Sequence, residues 1–150
     1  VPLKVMKQLT ENNFTTLGTD QFIQDTRLMM VKVKEAIRGI NPVVAENTSI
    51  TDAIVKMTEF GYGAVTVTKA DGSIKGVFTD GGLRKLIGEK GRDILSKNLS
   101  DLEYREPITI DGNVLLNDAN VLFKKTNVDT IVVTDGGKPV GMLDIQDMKG

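Results

Sequence analysis

The chain contains no cysteine and no histidine. Their absence removes the commonest zinc ligand sets, cysteine nucleophiles and histidine acid–base catalysis together. It also removes disulfides, so nothing points to an oxidising compartment, and the expected setting is the cytoplasm. No apolar run approaches the roughly 20 residues that a membrane helix needs, and no signal-peptide pattern is present, so no membrane partner is expected. A basic excess is missing as well: 19 Lys and Arg stand against 20 Asp and Glu. Binding to a phosphate backbone ordinarily needs that excess, so nucleic acid is not an expected partner. Without His, Cys or a recognisable set of convergent carboxylates, the chain is not expected to be an enzyme, to need a cofactor or to hold a metal.

What is present is a sequence of 150 residues, 40% hydrophobic, enough for one compact domain or two small intertwined ones. It begins at Val1 and stops just after its last motif, which reads as a piece of a longer protein; N-terminal processing is the alternative. Residues 1–31 differ from the rest and form an expected connector. Val1, Val5, Met6 and Leu9 fit a short amphipathic helix, interrupted at Asn12 and Asn13. Thr15 to Asp20 reads as loop. Phe22, Ile23, Thr26, Met29 and Met30 fit a second helical face, with Asp20 as its N-cap.

From Val31 onward one pattern occurs twice. Val31 to Val33 leads into a short helix over Glu35 to Arg38, and Pro42, Val43 and Val44 are extended. Ser49 and Asp52 have capping-box spacing, and Ile50, Ala53, Ile54 and Met57 share a helix face ending near Gly61. Ala64 to Thr68 reads as a strand, 70–73 as a hairpin turn, Ile74 to Phe78 as the returning strand, and Gly82 to Gly88 as helix. The second copy has a lead-in over Leu99 to Glu103 and an extended piece over Pro107 to Ile110. A helix face of Leu115, Leu116, Ala119, Leu122 and Phe123 follows. Strands come at Thr130 to Val133 and Val140 to Leu143. Pro42 and Pro107 are 65 apart, Ala53 and Ala119 are 66 apart, Val67 and Val133 are 66 apart, and Gly76 and Gly141 are 65 apart. Four landmarks in register define a true repeat, with units at 32–97 and 98–150.

Each repeat ends on a polar turn. Gly76-Val77-Phe78-Thr79-Asp80-Gly81-Gly82-Leu83-Arg84 offers backbone N–H groups, a hydroxyl and a cation at one place. An anion or sugar-phosphate site needs those groups, although an ordinary strand-to-helix turn has them too. Charge is uneven around it. From Lys75 to Lys97 there are six basic residues against three acids; from Asn98 to Asn120 Arg105 faces five acids. An anionic ligand would favour the first turn, and a solvated helix face would show the same charges.

The order β-α-β-β-α, repeated in tandem over about residues 32–149, resembles the cystathionine-β-synthase (CBS) domain pair, or Bateman module. The first motif resembles that of the modules on arabinose-5-phosphate isomerases of the Kdo and capsule sugar pathway. The closing Gly141-Met142-Leu143-Asp144-Ile145-Gln146-Asp147 is similar to endings there and in modules on sugar nucleotidyltransferases. The resemblance implies an α/β (α+β) fold of two repeats packed about a pseudo-twofold axis. It implies a regulatory module that binds a small metabolite, an adenine nucleotide or nucleotide-sugar, in the cleft between repeats. It would modulate its own catalytic domain in the parent chain, a sugar-phosphate isomerase or nucleotidyltransferase, and assemble as a homodimer. A degenerate pair that only dimerises is the alternative.

The family motif runs Gly, two spacers, Thr or Ser, two spacers, Asp. By that resemblance Thr79 is the phosphate hydroxyl, with Asp80, Gly81 and Arg84 beside it, while Gly82 replaces the final Asp. In the second copy Asp147 is the final Asp and accepts from a diol, but Asp144 replaces the hydroxyl. A carboxylate there repels phosphate, so a neutral sugar portion or a bridging cation suits that turn better, and a solvated helix start accounts for it as well. The resemblance adds Val43, Val44, Gly63, Ala64, Thr109 and Thr130 as walls around the ligand.

Overall fold

The same local signals set the helices of both repeats. The computed structural model describes residues 19–149. Its elements are α1 (Thr19–Met30), α2 (Val33–Ala36), β1 (Val43–Ala45), α3 (Ile50–Phe60), β2 (Ala64–Thr68), β3 (Ile74–Thr79), α4 (Asp80–Lys90), β4 (Thr109–Asp111), α5 (Leu116–Thr126), β5 (Thr130–Asp135) and β6 (Lys138–Asp144). Short 3₁₀ turns follow α4 at Arg92–Ser96 and Leu99–Asp101, and a last one, Ile145–Lys149, follows β6. The Ser49 hydroxyl caps α3 by accepting from the Asp52 amide at 3.1 Å. Ile50, Ala53 and Met57 then point to one core, and Gly61, at φ 73°, closes the helix. In α5 the buried positions are Leu116, Ala119 and Phe123, and the left-handed residue at its end is Asn127.

Each repeat holds a three-stranded sheet. In the first, β1 pairs parallel to β2 and β2 antiparallel to β3; the second repeats this with β4, β5 and β6. Strand residues alternate between two surfaces. Val65 and Val67 face the helices of the first core, with Val44, Phe78, Leu83 and Met57. Ala64 faces the other way and meets Tyr62, Val132 and Met142 in an apolar layer between the two sheets. The two repeats are thus joined face to face, with helices outside.

The repeats also exchange their lead-ins. Lys32 bridges to Leu115, and Ser49 bridges to Asn98, so each repeat makes the same contact with the other. Val33 donates to Val114 O and Leu116 to Val31 O, so the lead-in of the first repeat lies on the second. Leu99 donates to Thr48 O and Ile50 to Lys97 O, so the lead-in of the second lies on the first. Val33 and Leu99, both fully buried, are equivalent plugs, one in each core. Burying such a side chain contributes about 1.5–3 kcal/mol.

Several sequence expectations shift. The short lead-in helix lies at Val33–Ala36 rather than 35–38, because Val33 is anchored in the second core. Asp20 lies inside α1 and is not its cap. The helix after the first motif begins at Asp80 rather than Gly82: Thr79 caps it, and Asp80 pairs with Arg84 one turn on. Leu115 stands at the N-cap of α5, 36% exposed, rather than on its buried face. The helix expected around Val1 to Leu9 lies outside the described residues, as does most of the loop expected over Thr15 to Asp20; Thr19 and Asp20 are helical. Among the described residues, no helix is long and apolar enough to cross a membrane.

Candidate functional site

In each repeat one end of the sheet gathers the start of the first two strands and the end of the third. Ala64 stands opposite Thr79, and the Asp80 amide donates to Gly63 O at 3.0 Å. Pro42, just ahead of Val43, accepts from Thr66 N at 2.8 Å. The second repeat places Thr130 opposite Asp144, with Ile145 N donating to Asp129 O at 2.8 Å and Val132 N to Ile108 O at 3.0 Å. The expected residues Val43, Gly63, Ala64, Thr79 and Asp80 therefore share one sheet end. Thr109, Thr130 and Asp144 share the other. Val44 is placed differently: its side chain is buried in the first core and leaves only its backbone toward that end.

At the first motif the Thr79 hydroxyl accepts from Gly82 N at 2.9 Å. That bond satisfies one of the amides that a helix start leaves over, and Gly63 O takes the Asp80 amide. Gly81 has open space around it, while a Cβ on Gly82 would lie 3.0 Å from Thr79 Oγ1. Arg84 is turned onto Asp80 at 3.0 Å, and both are exposed. The cation of this turn is thus held by its own acid.

The second motif is satisfied from within. Asp147 Oδ2 accepts from Asp144 N at 2.9 Å, and Asp144 Oδ1 accepts from Gln146 N at 2.8 Å, which closes the last 3₁₀ turn. The other oxygen of Asp147 lies 3.5 Å from Arg38 Nε. Arg38 also covers the Tyr62 ring, at 4.4 Å from its centre, and its Nη1 donates to Gly61 O at 3.4 Å. Tyr62 is 6% exposed, and its hydroxyl is buried beside the Arg38 backbone. Burial pushes its phenol above the usual range; Arg38 pulls it back in part, and the charges of Asp147 and Asp144 add to the rise.

The glycine that opens each motif has a packing cause. A Cβ on Gly76 would meet the Tyr104 side chain at 2.6 Å, and one on Gly141 would meet Ile37 at 2.6 Å. Each glycine is a seat for a side chain from the segment that enters from the other lead-in. Arg38 and Tyr62 were not singled out from the sequence. No local pattern marks Arg38; the signal for Tyr62 was its place just ahead of β2, where an aromatic precedes Gly63.

A CBS domain family model matches residues 41–89 and 99–149. The arabinose 5-phosphate isomerase KdsD of Yersinia pestis is 30% identical over 107 residues, covering 71% of this chain and 32% of that protein. The chain spans about a third of the length of the curated relatives it matches. Among solved structures, a CBS domain protein from Pyrobaculum aerophilum complexed with AMP is similar with a TM-score of 0.70 at 18% identity, over 78% of this chain and 89% of that one. The CBS domain pair of protein MJ0100, in complex with 5′-methylthioadenosine and S-adenosyl-L-methionine, has a TM-score of 0.69 at 18% identity, over 79% and 92%. With both repeats matched and the tandem architecture shared with these structures, the chain belongs to the CBS-domain family and carries a pair of such domains.

Proposed function

We propose that repeats 32–97 and 98–150, behind a connector at 1–31, form a regulatory module. It binds a small metabolite between the repeats and modulates a sugar-phosphate isomerase or nucleotidyltransferase domain of a parent protein. The observation that carries this reading is the tie between each motif turn and the head of the neighbouring strand, Asp80 to Gly63 and Ile145 to Asp129. It places Thr79 and Asp80 at one sheet end, and Thr130 and Asp144 at the other. Kinship to arabinose 5-phosphate isomerases supports the class of parent enzyme. The AMP and 5′-methylthioadenosine complexes of similar folds support an adenosine-bearing or nucleotide-sugar ligand. In this reading Thr79 and the amides around Gly81 hold the anionic part in the first cleft, Val43, Gly63 and Ala64 wall it, and the chain itself catalyses nothing. In the second cleft Thr109 and Thr130 are walls, with Asp144 and Asp147 the polar groups. A cytoplasmic setting goes with this reading. A ligand regulates only if it binds two states of the parent unequally.

A second reading is favoured by Val55 and Val121, which occupy matching places on α3 and α5. They are 49% and 55% exposed. On that reading the pair holds a homodimer through these helices and needs no ligand. Thermal-shift screening against AMP, ATP, S-adenosylmethionine, 5′-methylthioadenosine and CMP-Kdo separates the two. A ligand at a thousandfold its Kd raises stability by about 4 kcal/mol. A chain that none of these shifts, yet dimeric by light scattering, is the second kind.

A further inference from the structure

Arg38 makes in the second cleft the contacts that a nucleoside would make. Its guanidinium is flat, lies over the Tyr62 ring at 4.4 Å, and brings Nε to 3.5 Å from Asp147. A heterocycle with a vicinal diol would use the same two features, an aromatic face and a carboxylate acceptor. The buried Tyr62 hydroxyl adds a polar atom to the cluster, and the charges that act on it are those of Arg38, Asp147 and Asp144. Arg38 itself is 44% exposed on its side chain, so it can turn outward without opening either core. The first cleft differs. Arg105 follows Tyr104 as Arg38 follows Ile37, but Gly82 stands where Asp147 would be, and among the described residues Arg105 makes no ion pair.

We infer that Arg38 is a built-in occupant, a latch that closes the second cleft of this chain. With Arg38 turned out, the cleft takes an uncharged, ring-bearing diol and refuses phosphate, because the Asp147 carboxylate loses its cation and Asp144 stands beside it in the same turn. The ligand class rests on the reading of the clefts as metabolite sites; the latch rests on the contacts alone.

Two measurements on the chain and its Arg38→Ala variant test this. Hydroxyl-radical footprinting mapped by mass spectrometry reads Tyr62, with Tyr104 as the internal control. Loss of Arg38 is expected to raise Tyr62 labelling several-fold and leave Tyr104 unchanged. Asp147→Asn, which keeps an acceptor for the Asp144 amide but drops the ion pair, is expected to do the same to a smaller degree. Tyr62 labelling that stays at its original level in both variants overturns the latch. Calorimetric titration with 5′-methylthioadenosine and with AMP then reads the opened cleft. Arg38→Ala is expected to bind one more equivalent of 5′-methylthioadenosine per chain than the unmodified protein, and no more AMP. An extra equivalent of AMP overturns the ligand class. If neither probe binds either chain while Tyr62 becomes labelled, the latch stands and the metabolite-site reading falls.

Discussion

Gly76 and Tyr104 are in contact so close that a single methyl group on the glycine would sit 2.6 Å from the ring. Gly141 and Ile37 repeat the arrangement in the other half. The first prediction follows from it. Gly76→Ala and Gly141→Ala should each lower stability by about 1–3 kcal/mol through overpacking. Urea unfolding of each variant reads this, and Gly141→Ala combined with Ile37→Ala should recover part of the loss. Additive losses in that pair would show that the seat is not the cause.

Thr66 is fully buried with its hydroxyl unpartnered. Its counterpart in the second repeat is Val132, which lies in the apolar layer between the sheets. Thr66→Val keeps the shape and removes the unsatisfied group, so it should raise stability by about 1 kcal/mol. An unfolding midpoint at or below that of the unmodified chain counts against this account.

Thr79 carries a structural duty as well as the ligand role proposed for it. Its hydroxyl caps α4, so Thr79→Val should cost about 1 kcal/mol of stability, whereas Thr79→Ser should leave stability within a few tenths. Any affinity change must therefore be measured below the unfolding transition, and Thr79→Ser separates capping from methyl contacts.

Alkaline pH tests the two tyrosines, which are all the chain has. Burial, then the charge of Glu46, pushes the Tyr104 phenol up to about 12; burial also raises Tyr62. A phenol in the unfolded chain ionises near 10, so the unfolded state gives up its proton first. The stabilisation from Tyr104 is complete below about pH 10 and is lost as pH rises from there through about 12. Absorbance at the phenolate band should show less than half of the tyrosine ionised at about pH 10, and half-ionisation there would contradict the burial of both rings.

The repeat was legible because its landmarks recur in the chain itself. Ser49 and Asp52 announced α3, and the β-branched run of Ala64 to Thr68 announced β2, through local chemistry alone. The start of α4 was misread because Gly81 and Gly82 are poor helix formers. Their cost is offset by the Thr79 cap and the pairing of Asp80 with Arg84, one turn apart. The second cleft was half legible. Asp144 and Asp147 stood out as a departure from the family motif. Arg38 did not, because its partner Asp147 lies at the far end of the chain and no local pattern encodes so distant a pairing. Val44 came as a cleft wall from the family resemblance; the period of two sends its side chain to the core.

The exchange of lead-ins also dictates an order of assembly. Synthesis runs from the N-terminus, so Val33 and Ile37 emerge long before Leu116, Ile131, Gly141 and Leu143, the residues that receive them. The first repeat, in turn, lacks Leu99 until the chain has passed into the second. Neither core can close as its own segment leaves the ribosome, and the last contacts to form join residues near opposite ends of the described chain. Folding should therefore be a single late event with a slow rate for its size, since long loops must be closed before their contacts repay the entropy. A ribosome-stalled chain ending near residue 97 should be sensitive to protease throughout, and protection should appear only when the second repeat has left the ribosome.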